Sequence, residues 1–284
     1  MLSRRMFLQT SSVAAALCAR GHARQLQAIG VQLYTVRSVL PQKPAETLRA
    51  IEAIGYREVE PTFATLEAIW PALKATSLKP VSVHLDSRVV TQGSADELKR
   101  TVDQVRQRGF QFAVFPYLPP AERGGLEVIQ RLAAKLNAAG ETCRAAGVRF
   151  CYHNHAFEFE PMNDTTPFEV LLQETDPNLT SFELDCFWAS VAGHDPVEIL
   201  SRHGKRIALL HLKDKAKDLP VRYNESVPRT AFQEVGHGVL DWPQVLRAAA
   251  SAGVEHYFVE QDQTPGDPVA SLKASYSYLS QLTY

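Results

Sequence analysis

The chain has 284 residues and a formal net charge of −1, from 30 Lys and Arg against 31 Asp and Glu. That balance argues against a nucleic-acid binder, which carries a basic stripe. Of the four Cys, Cys143, Cys151 and Cys186 lie beyond the first 24 residues; this odd, sparse set is not a disulfide framework and reads as buried thiols, with a Cys151–Cys186 pairing as the alternative.

The first residues have the order of an export signal. Arg4-Arg5 is followed by Met6-Phe7-Leu8, a moderately apolar run from Thr10 to Leu17, and small residues at Gly21-His22-Ala23. Leu17 before Cys18 speaks against lipidation. Residues 1–24 are therefore expected to be a twin-arginine-type signal, with the mature protein periplasmic or secreted. No other run is long and apolar enough to suggest a membrane span.

From residue 28 onward, strand-like and helix-like segments alternate. Ala28 to Tyr34 reads as a strand, Pro44 to Ile54 as a helix, Tyr56 to Glu60 as a strand, and Thr65 to Thr76 as a helix. A third strand, Pro80 to Leu85, precedes a helix from Ser94 to Arg108, where Ser94 and Glu97 have capping-box spacing. The fourth strand, Gln111 to Pro116, leads to a long helix from Gly125 to Ala146. The fifth strand, 148–155, ends on imidazoles, and a short helix runs from Pro167 to Glu174. The sixth and seventh strands, 181–186 and 206–212, flank a helix opening at Asp195-Pro196. Residues 213–237 are polar and lack periodicity. A helix from Trp242 to Ala252, an eighth strand at 256–260 and a helix from Asp267 to Leu282 close the chain.

Eight strand–helix units in unbroken order predict a single-domain α/β fold, a (β/α)8 TIM barrel spanning residues 25–284. A doubly wound sheet would want a glycine-rich turn after the first strand, and Gln32 to Arg37 has none.

Strands five to eight each end on an acid or an imidazole. In a barrel these ends share one face, where active sites lie, and carboxylate with imidazole is metal-ligand chemistry. Asp185, His211 and Glu260 are the expected core of a site for Mn, Mg, Zn or Co. For the fifth-strand ligand, Glu158 and His153 stand as alternatives. His84, His153, His155 and Lys213 are candidate substrate-binding residues, and Glu158 and Glu260 candidate catalytic bases. Taken singly, Asp185 also reads as a helix cap, His211 as a core histidine and Glu260 as a surface acid beside Gln261 and Asp262. Lys213 and Asp214 also read as loop salt-bridge partners, Asn154 as a backbone-satisfying side chain, and His237 as a solvated loop residue.

Val31 to Arg37, Tyr152-His153-Asn154-His155, Glu183-Leu184-Asp185, His211-Leu212-Lys213-Asp214, Gly236 to Trp242 and Val259 to Asp262 together resemble the sugar phosphate isomerase/epimerase superfamily, the xylose-isomerase-like or AP-endonuclease-2-like TIM barrels. The resemblance covers most of the chain after the signal. It implies a Glu, Asp, His, Glu metal set, matched here by Asp185, His211 and Glu260, whereas His153 stands where many members have the first Glu.

The expected function is a divalent-metal-dependent isomerase, epimerase, dehydratase or lyase acting on a sugar, keto-sugar or polyol through an enediolate. The expected partner is that small molecule, with no nucleic acid and no membrane after signal removal; a homo-oligomer is compatible with the sequence. One rival is an exported sugar-binding barrel without chemistry. An endonuclease-type phosphodiesterase is a weaker one, because it needs more metal ligands and basic loops.

Overall fold

The computed structural model describes residues 24–284; the segment expected to be an export signal, apart from Arg24, lies outside the described residues. Eight parallel barrel strands alternate with helices: Gly30–Gln32, Glu58–Glu60, a third strand in two pieces (Lys79–Pro80 and Ser82–His84), Phe112–Phe115, Arg149–His153, Thr180–Asp185, Ile207–Leu212 and His256–Val259. The break at Val81 is where the sheet closes. Lys79–Pro80 pairs with the second strand and Ser82–His84 with the fourth, and the His84 N–H donates to the Pro61 carbonyl at 3.0 Å. The first strand pairs with the eighth, so the sheet becomes a barrel.

The helices begin where the sequence has caps. Ser94 accepts from the Glu97 N–H, Thr166 from Glu169, Asp195 from Val197 and Asp267 from Val269. Each cap satisfies a helix N–H that has no intrahelical partner. Pro44, Pro167, Pro196 and Pro268 occupy first turns, where a missing N–H costs nothing. Two short helices that the periodicity did not suggest, Ser87–Thr91 and Cys186–Val191, follow the third and sixth strands. The polar stretch from 213 folds back as a two-stranded antiparallel ribbon, Asp214–Lys215 with Phe232–Gln233. Cys143, Cys151 and Cys186 are buried free thiols. Among the described residues, no helix is long and apolar enough to cross a membrane.

Most buried apolar side chains lie between the strands and the helices. A second, smaller apolar group, including Phe112, Val114, Cys151, Leu209 and Phe258, fills the barrel itself. Side chains two apart on a strand share a face, so the interior is built in layers. Glu58 and His256, paired at 2.8 Å, sit at the strand starts. The small apolar group comes next. Glu60, His153, Glu183 and His211 follow, and Asp185, Lys213 and Glu260 crown the strand ends. Gly30 belongs to this packing: a Cβ there would meet the Phe258 ring at 2.5 Å.

Candidate active site

His153, Asp185, His211 and Glu260 each offer one donor atom, all within 4.8 Å of one another, and all four residues are buried. They come from strands five to eight. Asp185 serves two elements at once. Its Oδ1 accepts from the Trp188 N–H at 2.8 Å and caps the helix Cys186–Val191. Its Oδ2 makes no hydrogen bond, although Lys213 Nζ lies 3.0 Å away. Asn154 fixes the backbone here by accepting from the Asp185 N–H at 3.0 Å. The Nδ1 of His153 is 3.1 Å from the Pro116 carbonyl, while its Nε2 has no partner. An imidazole anchored by one nitrogen presents the other as a ligand. Two buried, unpartnered donor atoms in a His₂Asp-Glu set fit a divalent transition ion or Mg²⁺.

The fifth-strand alternatives separate. His153 faces into the barrel and joins the quartet; Glu158 does not, which corrects the expectation that it is a ligand or base. Tyr152, one residue from His153, faces outward and stacks on Phe115 at 5.6 Å. Glu158 sits with it, accepting from the Tyr152 hydroxyl at 2.8 Å and the His155 N–H at 2.9 Å. Burial pushes the Glu158 carboxyl up to about 8, against those two donors.

Lys213 is 1 % exposed, and its ammonium lies 3.0 Å from Asp185, 2.7 Å from Glu260 and 3.1 Å from Asp262. Burial opposes the charge on Lys213, but these three carboxylates outweigh it and raise its pKa further. Burial also opposes ionisation of Asp185 and Glu260. Lys213 outweighs it, with His153 and His211 helping at Asp185 and His211 at Glu260, and both carboxyls stay below the usual range. Burial raises Asp262 to about 6, partly offset by Lys213.

A cavity of about 550 Å³ opens above the quartet. His84, His153, His155, Lys213, Glu260 and Asp262 reach it, and Tyr34, Tyr117, Trp188 and Phe232 supply aromatic walls. Trp188 stacks on His155 at 5.4 Å. Burial, with the neighbouring charges of His153 and Lys213, lowers the pKa of His155 well below its ordinary value. A larger hollow of about 710 Å³ at the opposite end of the barrel contains the Glu58–His256 pair and none of the quartet. His237 is exposed and does not line the mouth cavity.

Sequence reasoning missed three residues. Glu60 and Glu183 are fully buried and lie within hydrogen-bonding range of His84 and His211. Asp262 faces the cavity. The available signal was acids spaced by two at strand ends: Glu58 and Glu60, Glu183 and Asp185, Glu260 and Asp262. Asp214, expected as a salt-bridge partner, instead accepts from the N–H groups of Lys215, Gly236, Gly238 and Leu240 and from the Trp242 indole. A Cβ on Gly238 would meet Asp214 Oδ1 at 2.1 Å, so only glycine lets that loop close on the carboxylate.

Residues 48–282 match the family model of the xylose isomerase-like TIM barrel. An inosose dehydratase of Geobacillus thermodenitrificans is 30 % identical over 143 residues, 47 % of each chain. The chain thus matches about half the length of that curated relative. A sugar phosphate isomerase/epimerase structure from Parabacteroides distasonis superposes with a TM-score of 0.76 at 22 % identity, covering 90 % of this chain and 98 % of the other. The zinc-bound IOLI protein gives 0.69 at 15 % identity, covering 88 % and 95 %.

Proposed function

We propose, since this chain belongs to the xylose isomerase-like TIM barrel family, that it is a divalent-cation-dependent enzyme that removes the proton beside the carbonyl of a keto-sugar or keto-polyol and eliminates water. The observation that carries this reading is the quartet His153, Asp185, His211 and Glu260 beneath an aromatic-walled cavity. The likeness to inosose dehydratase favours elimination as the outcome.

The quartet would hold the cation, which would supply Lewis-acid charge to the substrate oxygens. His155 and Lys213 face the cavity outside the quartet, placed to handle protons. His155, whose Nδ1 has no partner, takes the proton from the carbon next to the carbonyl. The C–O bond on the following carbon breaks, and the Lys213 ammonium gives its proton to the departing hydroxyl, which leaves as water. Asp262 accepts a hydrogen bond from Lys213 and holds the ammonium on that side. The aromatic walls pack on the apolar face of a ring and exclude bulk water from the reacting atoms.

The test is a panel of keto-polyols, including inososes, incubated in deuterium oxide with wild type, Asp185→Asn and His155→Gln. Wild type is expected to form a dehydrated product. Asp185→Asn is expected to lose turnover together with the cation held by the quartet, and His155→Gln to lose turnover while keeping that cation. Deuterium exchange with inversion and no loss of water would replace elimination by epimerisation. Substrate binding with neither exchange nor product would mean a binding barrel. Export through residues 1–24 belongs to the same reading; the N-terminus of protein recovered from the periplasm checks it.

A further inference from the structure

One layer below Asp185 and Glu260, strands two, three, six and seven bring Glu60, His84, Glu183 and His211 together, with all four donor atoms within 4.8 Å of one another. Their arrangement alternates. His84 Nε2 lies 2.8 Å from Glu183 Oε2 and 3.2 Å from Glu60 Oε2; His211 Nε2 lies 2.7 Å from Glu60 Oε2 and 3.3 Å from Glu183 Oε2. Glu60 and Glu183 are wholly buried, and the second oxygen of each, Oε1, has no hydrogen-bond partner. A buried carboxylate with a spare oxygen is costly unless a positive charge is close. Metal–ligand bonds of about 2.0–2.1 Å put tetrahedral donors roughly 3.4 Å apart. The four edges here are 2.7–3.3 Å, so a small outward movement would admit an ion.

His211 faces both layers. Its Nε2 points at Glu60 and Glu183, and its Nδ1 lies 3.0 Å from Glu260 and 3.9 Å from Asp185. A neutral imidazole has one lone pair, and its other nitrogen carries the proton. It therefore ligates on one side at a time.

We propose that Glu60, His84, Glu183 and His211 form a second divalent-cation site on the barrel axis, and that sharing His211 makes the deep and mouth sites alternatives. A cation in the deep site leaves the His211 Nδ1–H facing Glu260, and a cation at the mouth leaves Nε2–H facing Glu60. The ordinary alternative is that Glu60 and Glu183 only orient His211 for a mouth cation, as outer carboxylates do.

The experiment is titration of chelator-treated full-length protein with Zn²⁺, and with Co²⁺ read by visible absorption. Wild type is expected to bind one equivalent. Asp185→Asn with Glu260→Gln removes mouth donors, while the amide oxygen introduced at position 185 keeps an acceptor for the helix cap; this protein is still expected to bind one equivalent, with a changed cobalt spectrum. Adding Glu183→Gln is expected to weaken that binding at least a hundredfold. Glu60→Gln with Glu183→Gln alone is expected to leave one equivalent at the mouth. Thermal melts check that each variant folds, and Glu183→Asp replaces Glu183→Gln if it does not. No binding by the folded Asp185→Asn, Glu260→Gln protein would overturn the deep site. Two tight equivalents in wild type would overturn the exclusion. Cation loss in Glu60→Gln, Glu183→Gln, with retention in Asp185→Asn, Glu260→Gln, would keep the deep site and refute the mouth site on which the proposed function rests.

Discussion

Two adjacent residues on one chain segment, Lys213 and Asp214, lead to two buried polar centres of opposite character. Asp214 is saturated: four backbone N–H groups and the Trp242 indole converge on its two oxygens. The centre beside Lys213 is crowded with charge yet incomplete, because Glu60 Oε1, His153 Nε2, Glu183 Oε1 and Asp185 Oδ2 make no hydrogen bond. Folded proteins pair the large majority of their buried side-chain polar atoms. A saturated carboxylate therefore reads as a structural pin, and leftover donor capacity at a cavity floor reads as capacity held for a ligand. Charge and burial alone do not separate the two, since both centres are fully buried.

The strongest challenge to this contrast is Asp185→Ala. The cation held by the quartet and turnover are expected to disappear together, with activity falling by about a thousandfold or more. A variant that stays active with no cation at the quartet would break the contrast from the functional side. Asp214→Ala tests the other side. Five donors lose their acceptor, and the expected cost is about 4 kcal/mol, or roughly 10 °C in melting midpoint. Cation stoichiometry of the folded fraction should not change. A melting curve close to wild type would show that saturation does not mark a structural pin.

Glu158 sharpens the comparison, being buried and hydrogen-bonded, with burial outweighing its hydrogen bonds and the charge of Arg123. Its folded pKa of about 8 lies above the ordinary 4.5. Its contribution is fully present below about pH 4.5 and is lost as pH rises towards 8. Over that window wild type should lose stability relative to Glu158→Gln by on the order of 1 kcal/mol per pH unit. Denaturation at several pH values checks this, and a flat difference would count against it. The smallest effect is expected from Lys213→Met. Removing an ammonium 2.7 Å from Glu260 and 3.0 Å from Asp185 should tighten cation binding about tenfold, by removing a competing charge. Turnover should fall in the same variant. Weaker cation binding would show that Lys213 supports the site and does not compete with it.

The order of strands and helices was legible because each unit carries its own local signals. The helices Pro44–Ile54, Pro167–Glu174 and Trp242–Ala252 fall where apolar spacing, a proline and a following stop placed them. Cys186–Val191 was not legible: it starts directly after a strand, and Asp185, which caps it, was read mainly as a ligand. The choice between His153 and Glu158 was equally hidden. Both are near the end of the fifth strand, and only the short helical turn Phe157–Phe159 carries Glu158 out to Tyr152.

The sequence by itself determined the βα succession, the helix caps and, through alternation along each strand, which residues face the barrel interior. It could not determine which interior residues share a level, because that depends on how neighbouring strands are staggered. Between the sixth and seventh strands the register slips after Phe182, which pairs with Ile207, so that Glu183 pairs with Leu209 and Asp185 lies opposite His211. That one-residue irregularity arises from strand packing and leaves no mark in either segment's composition. Tertiary structure alone thus decided that Asp185 and Glu260 meet one face of His211 while Glu60 and Glu183 meet the other.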